Sequence, residues 1–129
     1  MNLYDFIDEK GVNVILAWLK TLEKRDRAKV DVKLVALRDM DYELAIGTKL
    51  LQGPIHKHIY KLKIHGTVML RPLLSRGPIS NDAEYTLLAG AAEVNFKLIP
   101  ANAVQVAEVR RSQVIANQRD RRRPHARFY

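Results

Sequence analysis

Between Ile59 and His65 the chain alternates in character. Tyr60, Leu62 and Ile64 share one side of an extended segment, and Lys61, Lys63 and His65 share the other. Six residues on, Arg71 is lodged in the apolar run Leu70-Arg71-Pro72-Leu73-Leu74. A guanidinium there needs an acceptor, which Glu93 or Glu84 could supply. Two ammonium groups, an imidazole and a planar guanidinium fork suit an anionic, phosphate-like ligand, because the fork binds bidentately and the ammoniums act as point charges. The plainer reading of Lys61 and Lys63 is a pair of solvent-facing lysines that discourage sheet-edge pairing. His56, His58 and His65 suggest a metal, but residues 44–81 hold six Lys and Arg and no Asp or Glu, and those cations repel a divalent ion. No metal or other cofactor is expected. Cysteine is absent, which excludes disulfides, thiolate nucleophiles and Cys-ligated zinc or iron–sulfur sites.

The formal net charge of +8 is unevenly placed along the 129 residues. Residues 1–43 and 82–109 are slightly acidic. Residues 44–81 hold six basic and no acidic side chains, and residues 110–129 hold seven basic and one acidic. A positive field localised in this way suits a polyphosphate and makes nucleic acid the leading partner class; simple solubility is the alternative. The length fits one domain, and no apolar run reaches the roughly 20 residues of a membrane span. The start Met1-Asn2-Leu3-Tyr4-Asp5 lacks the basic-then-apolar order of a signal peptide, so a cytoplasmic protein without membrane association is expected.

The elements that must carry these groups are partly legible. Leu3 to Ile7 reads as a strand closed by Asp8-Glu9-Lys10-Gly11. Ile15, Leu16, Leu19 and Leu22, with Trp18 beside them, follow the helical period, as do Ala28, Val32 and Val35, predicting a helical hairpin or a single kinked helix. Residues 39–54, with Gly47 and Gly53-Pro54, read as a loop with a helical turn near Thr48–Leu51. Three strands follow, over Ile59–Ile64, Thr67–Leu74 and Glu84–Ala92, with Pro72 as an edge or bulge signal. A last helix runs from Pro100 to about Gln118, striped by Val104, Ala107, Arg111, Val114 and Ile115. The expected fold is α+β, an N-terminal strand, two-helix hairpin, three-stranded antiparallel meander and C-terminal helix, with the helices on one sheet face. Residues 1–118 form the domain. Residues 119–129 form a basic tail with too little apolar content to fold by itself.

That order, with Ile59-Tyr60-Lys61-Leu62-Lys63 turning into Leu70-Arg71, resembles the RelE/ParE toxin superfamily, specifically its HigB-like, phage-derived branch. The helical stretch Leu22–Val30, the strand Tyr85–Gly90, Lys97, Pro100 and the closing Arg110-Arg111 add to the likeness, which spans about residues 3–118. The resemblance implies the toxin of a type II toxin–antitoxin pair. Such a toxin is a metal-independent endoribonuclease that cuts messenger RNA at the ribosome by 2′-hydroxyl attack on the phosphodiester, and a small helix-turn-helix antitoxin neutralises it. Lys61 and Lys63 match positions that grip the phosphate or move its proton, and Arg71 matches the clamp on the phosphorane. The family's later basic residue is replaced by Glu93-Val94, although Lys97 aligns with a one-residue shift. Glu93 then becomes the general-base candidate, with acid chemistry from His125 or Tyr129 in the tail, as in the YoeB branch. His65, Lys97 and the run Arg121-Arg122-Arg123 are expected to contact RNA, the arginines through sequence-blind counterion release. The alternatives are a ParE-type toxin that targets gyrase, or an inactive phage-derived module that binds nucleic acid or protein.

Overall fold

In the computed structural model, which describes residues 1–127, the chain is an α+β protein. Strand β1 (Asn2–Phe6) leads to α1 (Val14–Thr21), whose first turn is closed by the Asn13 side chain accepting the N–H groups of Ile15 and Leu16. Helix α2 (Lys24–Arg38) is separate, because Leu22 and Glu23 are both extended, with ψ 152°. Two extended residues end the first helix here without any glycine or proline. The helical turn expected near Thr48 comes earlier, as α3 (Tyr42–Gly47) capped by Asp41, and the expected loop instead contains β2 (Leu51–His56). Gly53 and Pro54 are tolerated in β2 because it is an edge strand whose pairing shifts register between Gln52 and His56.

The remaining elements are β3 (Ile59–Leu62), β4 (Ile64–His65), β5 (Met69–Leu70), β6 (Leu73–Arg76), β7 (Glu84–Ala89), β8 (Ala92–Val94), β9 (Lys97–Ile99), α4 (Ala103–Ala116), α5 (Gln118–Arg121) and β10 (Arg122–Pro124). The larger sheet runs β10-β1-β7-β6-β3-β2, with β1 parallel to β7 and every other pair antiparallel; the smaller runs β4-β5-β8-β9. Helices cover both faces of the larger sheet, which corrects the one-sided arrangement expected. Leu3, Tyr60, Leu62, Leu74 and Leu87 pack with Ile15, Leu19, Leu34 and Leu37 of α1 and α2. Phe6, Ile59, Leu73 and Leu88 pack with Ala103, Ala107 and Val114 of α4. Strand β7 shows the consequence in sequence, since all six of its residues are buried.

Each of the three long strands expected from the sequence is broken, and the breaks fall side by side. The interruptions are Lys63, Arg71-Pro72 and Gly90-Ala91, joined across the sheet by Leu62 N–H to Pro72 O (3.1 Å) and Arg71 N–H to Ala91 O (2.8 Å). Pro72 has no N–H to give a ladder, and a register shift follows between Leu73 and Leu74 of β6 against β7, so the meander bends sharply and its far half becomes the smaller sheet. Trp18 of α1 packs into the bend directly against Gly90, where a Cβ would lie 2.0 Å from the Trp18 Cγ.

The basic C-terminal segment is docked onto the domain through residue 127. Residues Arg122–Pro124 pair with β1, and Arg122 forms an ion pair with Glu84 while its guanidinium lies 3.9 Å from the Tyr4 ring centroid. His125 Nδ1 meets Asp5 at 2.8 Å and Arg127 Nη2 meets Asp31 at 2.7 Å. Too apolar-poor to fold alone, the segment is ordered by charges supplied from β1, β7 and α2. Among the described residues no helix is long and apolar enough to cross a membrane. For the bend, Gly90→Ala is expected to cost about 2 kcal/mol or more in chemical denaturation through overpacking against Trp18. In a Trp18→Ala background the same change should cost far less, and a double-mutant cycle reads the coupling.

Candidate functional site

The pairing register is unchanged across the bend. Lys61 lies opposite Leu73 and Ile64 opposite Leu70, so Lys63 falls opposite Arg71; Leu73 lies opposite Ala89 and Met69 opposite Glu93, so Arg71 falls opposite Ala91. Because side chains alternate, one face carries three parallel rows: Lys61, Lys63 and His65; Leu73, Arg71 and Met69; Ala89, Ala91 and Glu93. Arg71 is at the centre, with Lys61 and Glu93 at opposite corners. The small side chains of Ala89 and Ala91 leave room beside the guanidinium.

Two of the three expected cations converge, and they do so on the carboxylate. Glu93 Oε1 lies 3.2 Å from Lys61 Nζ, and its Oε2 lies 3.2 Å from Arg71 Nη2. Of the two acceptors considered for Arg71, Glu93 is the one used, while Glu84 pairs with Arg122. The Arg71 side chain is 6% exposed, those of Glu93 and Lys61 18% and 22%, so the cluster opens to solvent through the carboxylate and the ammonium. Arg71 Nε and Nη1 are buried and meet no acceptor among the described residues. Hydrogen bonding from Arg71, reinforced by Lys61, holds the Glu93 carboxyl below its usual range against the opposing effect of burial. Glu93 is therefore an ionised proton acceptor at neutral pH, flanked by two cations that an incoming phosphate would also seek.

Lys63 and His65 share this face but make no ion pair among the described residues. They line a groove of about 430 Å³ with Lys33, Ala36 and Met40 of α2 and Thr48, Lys49 and Leu50 before β2. Lys63 thus sits beside the cluster without joining it. Lys97 pairs with Val94, one residue past Glu93, and faces away from the carboxylate. The arginines at the C-terminus lie elsewhere: β10 is four strand spacings from β3, about 19 Å. Arg122, with an 8% exposed side chain, is engaged by Glu84. Arg121 Nη1 donates to Ile7 O at 3.3 Å and Arg123 Nη1 to Arg119 O at 2.8 Å. His125 is held by Asp5 at that same far edge, so it does not supply an acid to Glu93; Tyr129 lies outside the described residues.

Sequence reasoning missed Lys33 and Lys49, which neither lie near Lys63 in the chain nor share an element with it. It also missed Phe96, which is 97% exposed at the β8–β9 turn, where Asn95 and Phe96 both have positive φ (51° and 65°). The Asn-Phe pair between strand-like residues was the available signal for a two-residue hairpin turn. No protein-family model, curated protein or solved structure matches the chain.

The cluster has a measurable acid limb. Because the folded-state pKa of Glu93 is depressed, its stabilisation is complete above the ordinary carboxylate value of about 4 and is lost as pH falls through the lower folded value. Glu93→Ala, which leaves Arg71 buried without its counter-charge, should cost about 3 kcal/mol at pH 7. The penalty should shrink progressively below about pH 4. Urea unfolding of both proteins across pH 3–7 measures it, and a penalty independent of pH would assign the loss to packing instead.

Proposed function

We propose that the chain is a toxin of the RelE/ParE type, within the HigB-like branch, that cleaves messenger RNA at the ribosome, with Glu93 as the general base. The observation that carries this reading is the convergence of Lys61 and Arg71 on Glu93 at the sheet bend, on the face that also bears Lys63 and His65. The element order supports it too: an N-terminal strand parallel to the last long strand of a bent antiparallel meander, a helix pair between them, and a C-terminal helix. In the reaction the scissile phosphate takes up the Lys61 and Arg71 charges. Glu93 then loses part of what holds its pKa down and becomes a stronger base. It accepts the 2′-hydroxyl proton as the 2′-oxygen attacks phosphorus and the bond to the 5′-oxygen breaks. The products are a 2′,3′-cyclic phosphate and a 5′-hydroxyl, the leaving oxygen taking its proton from water. Phe96 offers an exposed ring on which a base can stack. A helix-turn-helix antitoxin is the protein partner this reading implies.

One observation favours a second reading, a ParE-type toxin directed at gyrase. Glu93 engages both cations in the free chain and leaves the cluster one net positive charge, which a surface that only binds protein tolerates and a phosphate clamp must undo. Brief expression followed by primer extension on cellular messages separates the two. Codon-aligned cuts are expected from the wild type, reduced roughly 10²–10⁴-fold by Glu93→Gln and by Arg71→Ala, with circular dichroism confirming that both variants are folded. Intact messages with gyrase-linked DNA breaks would replace the first reading by the second, and cuts that persist in both folded variants would remove Glu93 and Arg71 from the chemistry.

A further inference from the structure

We infer that the groove between α2, the segment before β2 and β4 is a binding site for the backbone of single-stranded RNA, holding nucleotides next to the scissile linkage. This rests on the reading that RNA is the substrate. Lys33, Lys49, Lys63 and His65 line the groove with Ala36, Met40, Thr48 and Leu50, and no carboxylate lines it. The four basic side chains make no ion pair among the described residues, in contrast to Lys61, Arg71, Arg76, Arg122 and Arg127.

The walls are fixed. Asp26, in the first turn of α2, accepts the Thr67 N–H at 3.1 Å and the Thr67 hydroxyl, which ties α2 to the turn between β4 and β5. Gly66 allows that approach, since a Cβ there would lie 2.7 Å from Asp26 Oδ1. Lys63 N–H donates to Leu50 O at 3.2 Å, which ties β4 to the segment carrying Lys49. Lys33, two turns beyond Asp26, is thereby held over β4 by anchors at both sides.

A nucleotide presents a phosphate and a flat, largely apolar base, and the groove presents cations around an apolar floor of Ala36, Met40 and Leu50. An acidic peptide would match the cations but leave that floor unused. The β4 wall of the groove is near the strand that carries Glu93: His65 pairs with Met69 and Met69 with Glu93, two strand spacings or about 10 Å between backbones. One or two nucleotides span an interval of that length.

The experiment is fluorescence anisotropy of a labelled 12-nucleotide oligouridylate with the full chain, titrated between 50 and 250 mM salt. Lys33→Ala, Lys49→Ala and Lys63→Ala are each expected to weaken binding about 3–10-fold at the low-salt end and to flatten the log–log salt slope by about 0.7. Lys10→Ala/Lys20→Ala, which removes two exposed charges elsewhere, should change affinity less than twofold. Wild-type affinity in the groove variants, equal loss in the control, or lysine-dependent binding of a hexaglutamate peptide without binding of RNA would each overturn the inference. Its failure is distinguishable from failure of the cleavage reading. Messages cut in cells while the groove variants bind like wild type sink the groove alone, whereas groove-dependent binding with intact messages sinks the cleavage reading and leaves the groove.

Discussion

A guanidinium that is almost wholly out of water must be met by a carboxylate, and at Arg71 that requirement governs the surrounding structure. Arg71 lies at the point where three strands leave one sheet for another, and Glu93 is its diagonal neighbour on the adjoining strand. A straight meander would keep Lys61 and Glu93 at opposite corners of a three-by-three array of side chains, more than two strand spacings apart. In the bent sheet Glu93 lies 3.2 Å from Lys61 Nζ and 3.2 Å from Arg71 Nη2. Pro72 removes a ladder donor, the register shift in β6 adds twist, and Gly90 admits the Trp18 ring behind the bend, so three separate sequence features produce one curvature.

The resting electrostatics follow from the same geometry. Glu93 lies between the two cations, so the cluster keeps one net positive charge and its carboxylate is kept ionised. An anion that displaces the carboxylate from Arg71 and Lys61 gains their charge and at the same time raises the basicity of Glu93. Under the ribonuclease reading proposed above, binding and activation of the base are one event. Leaving Arg71 Nε and Nη1 buried without acceptors among the described residues costs stability, a cost shared there by Ser75 Oγ, the Tyr85 hydroxyl and Arg111 Nε.

Local patterns were read well and long-range ones poorly, for physical reasons. The alternation of Tyr60, Leu62 and Ile64 against Lys61, Lys63 and His65 was legible because period two is a local property, and the three apolar side chains do enter the core together. The helical stripes near Ile15–Leu19 and Val104–Val114 were legible for the same reason. The division of the meander between two sheets was not, although Pro72 and Gly90 were its visible marks, because a bend depends on breaks in three strands aligning in space. The side taken by the last helix was equally hidden. Its burial against Leu73 and Leu88 shows as strands apolar on both faces, and the fully buried run Glu84–Ala89 carried that information without being read. Lys33 and Lys49 joined Lys63 through tertiary contacts alone.

Net charge is the clearest example of a sequence quantity that the fold redistributes. The C-terminal block, with seven basic residues and one acidic, equals residues 44–81 in net positive charge. Yet Arg122 and Arg127 are committed to Glu84 and Asp31, and Arg110 Nη1 donates to Leu88 O at 2.8 Å. These arginines act as fasteners for a chain end that has little apolar surface with which to anchor itself. The lysines around β4 have no such duty, and their side chains remain available to solvent. Positive charge thus also gathers around β4, where chain elements distant in sequence each contribute one ammonium group.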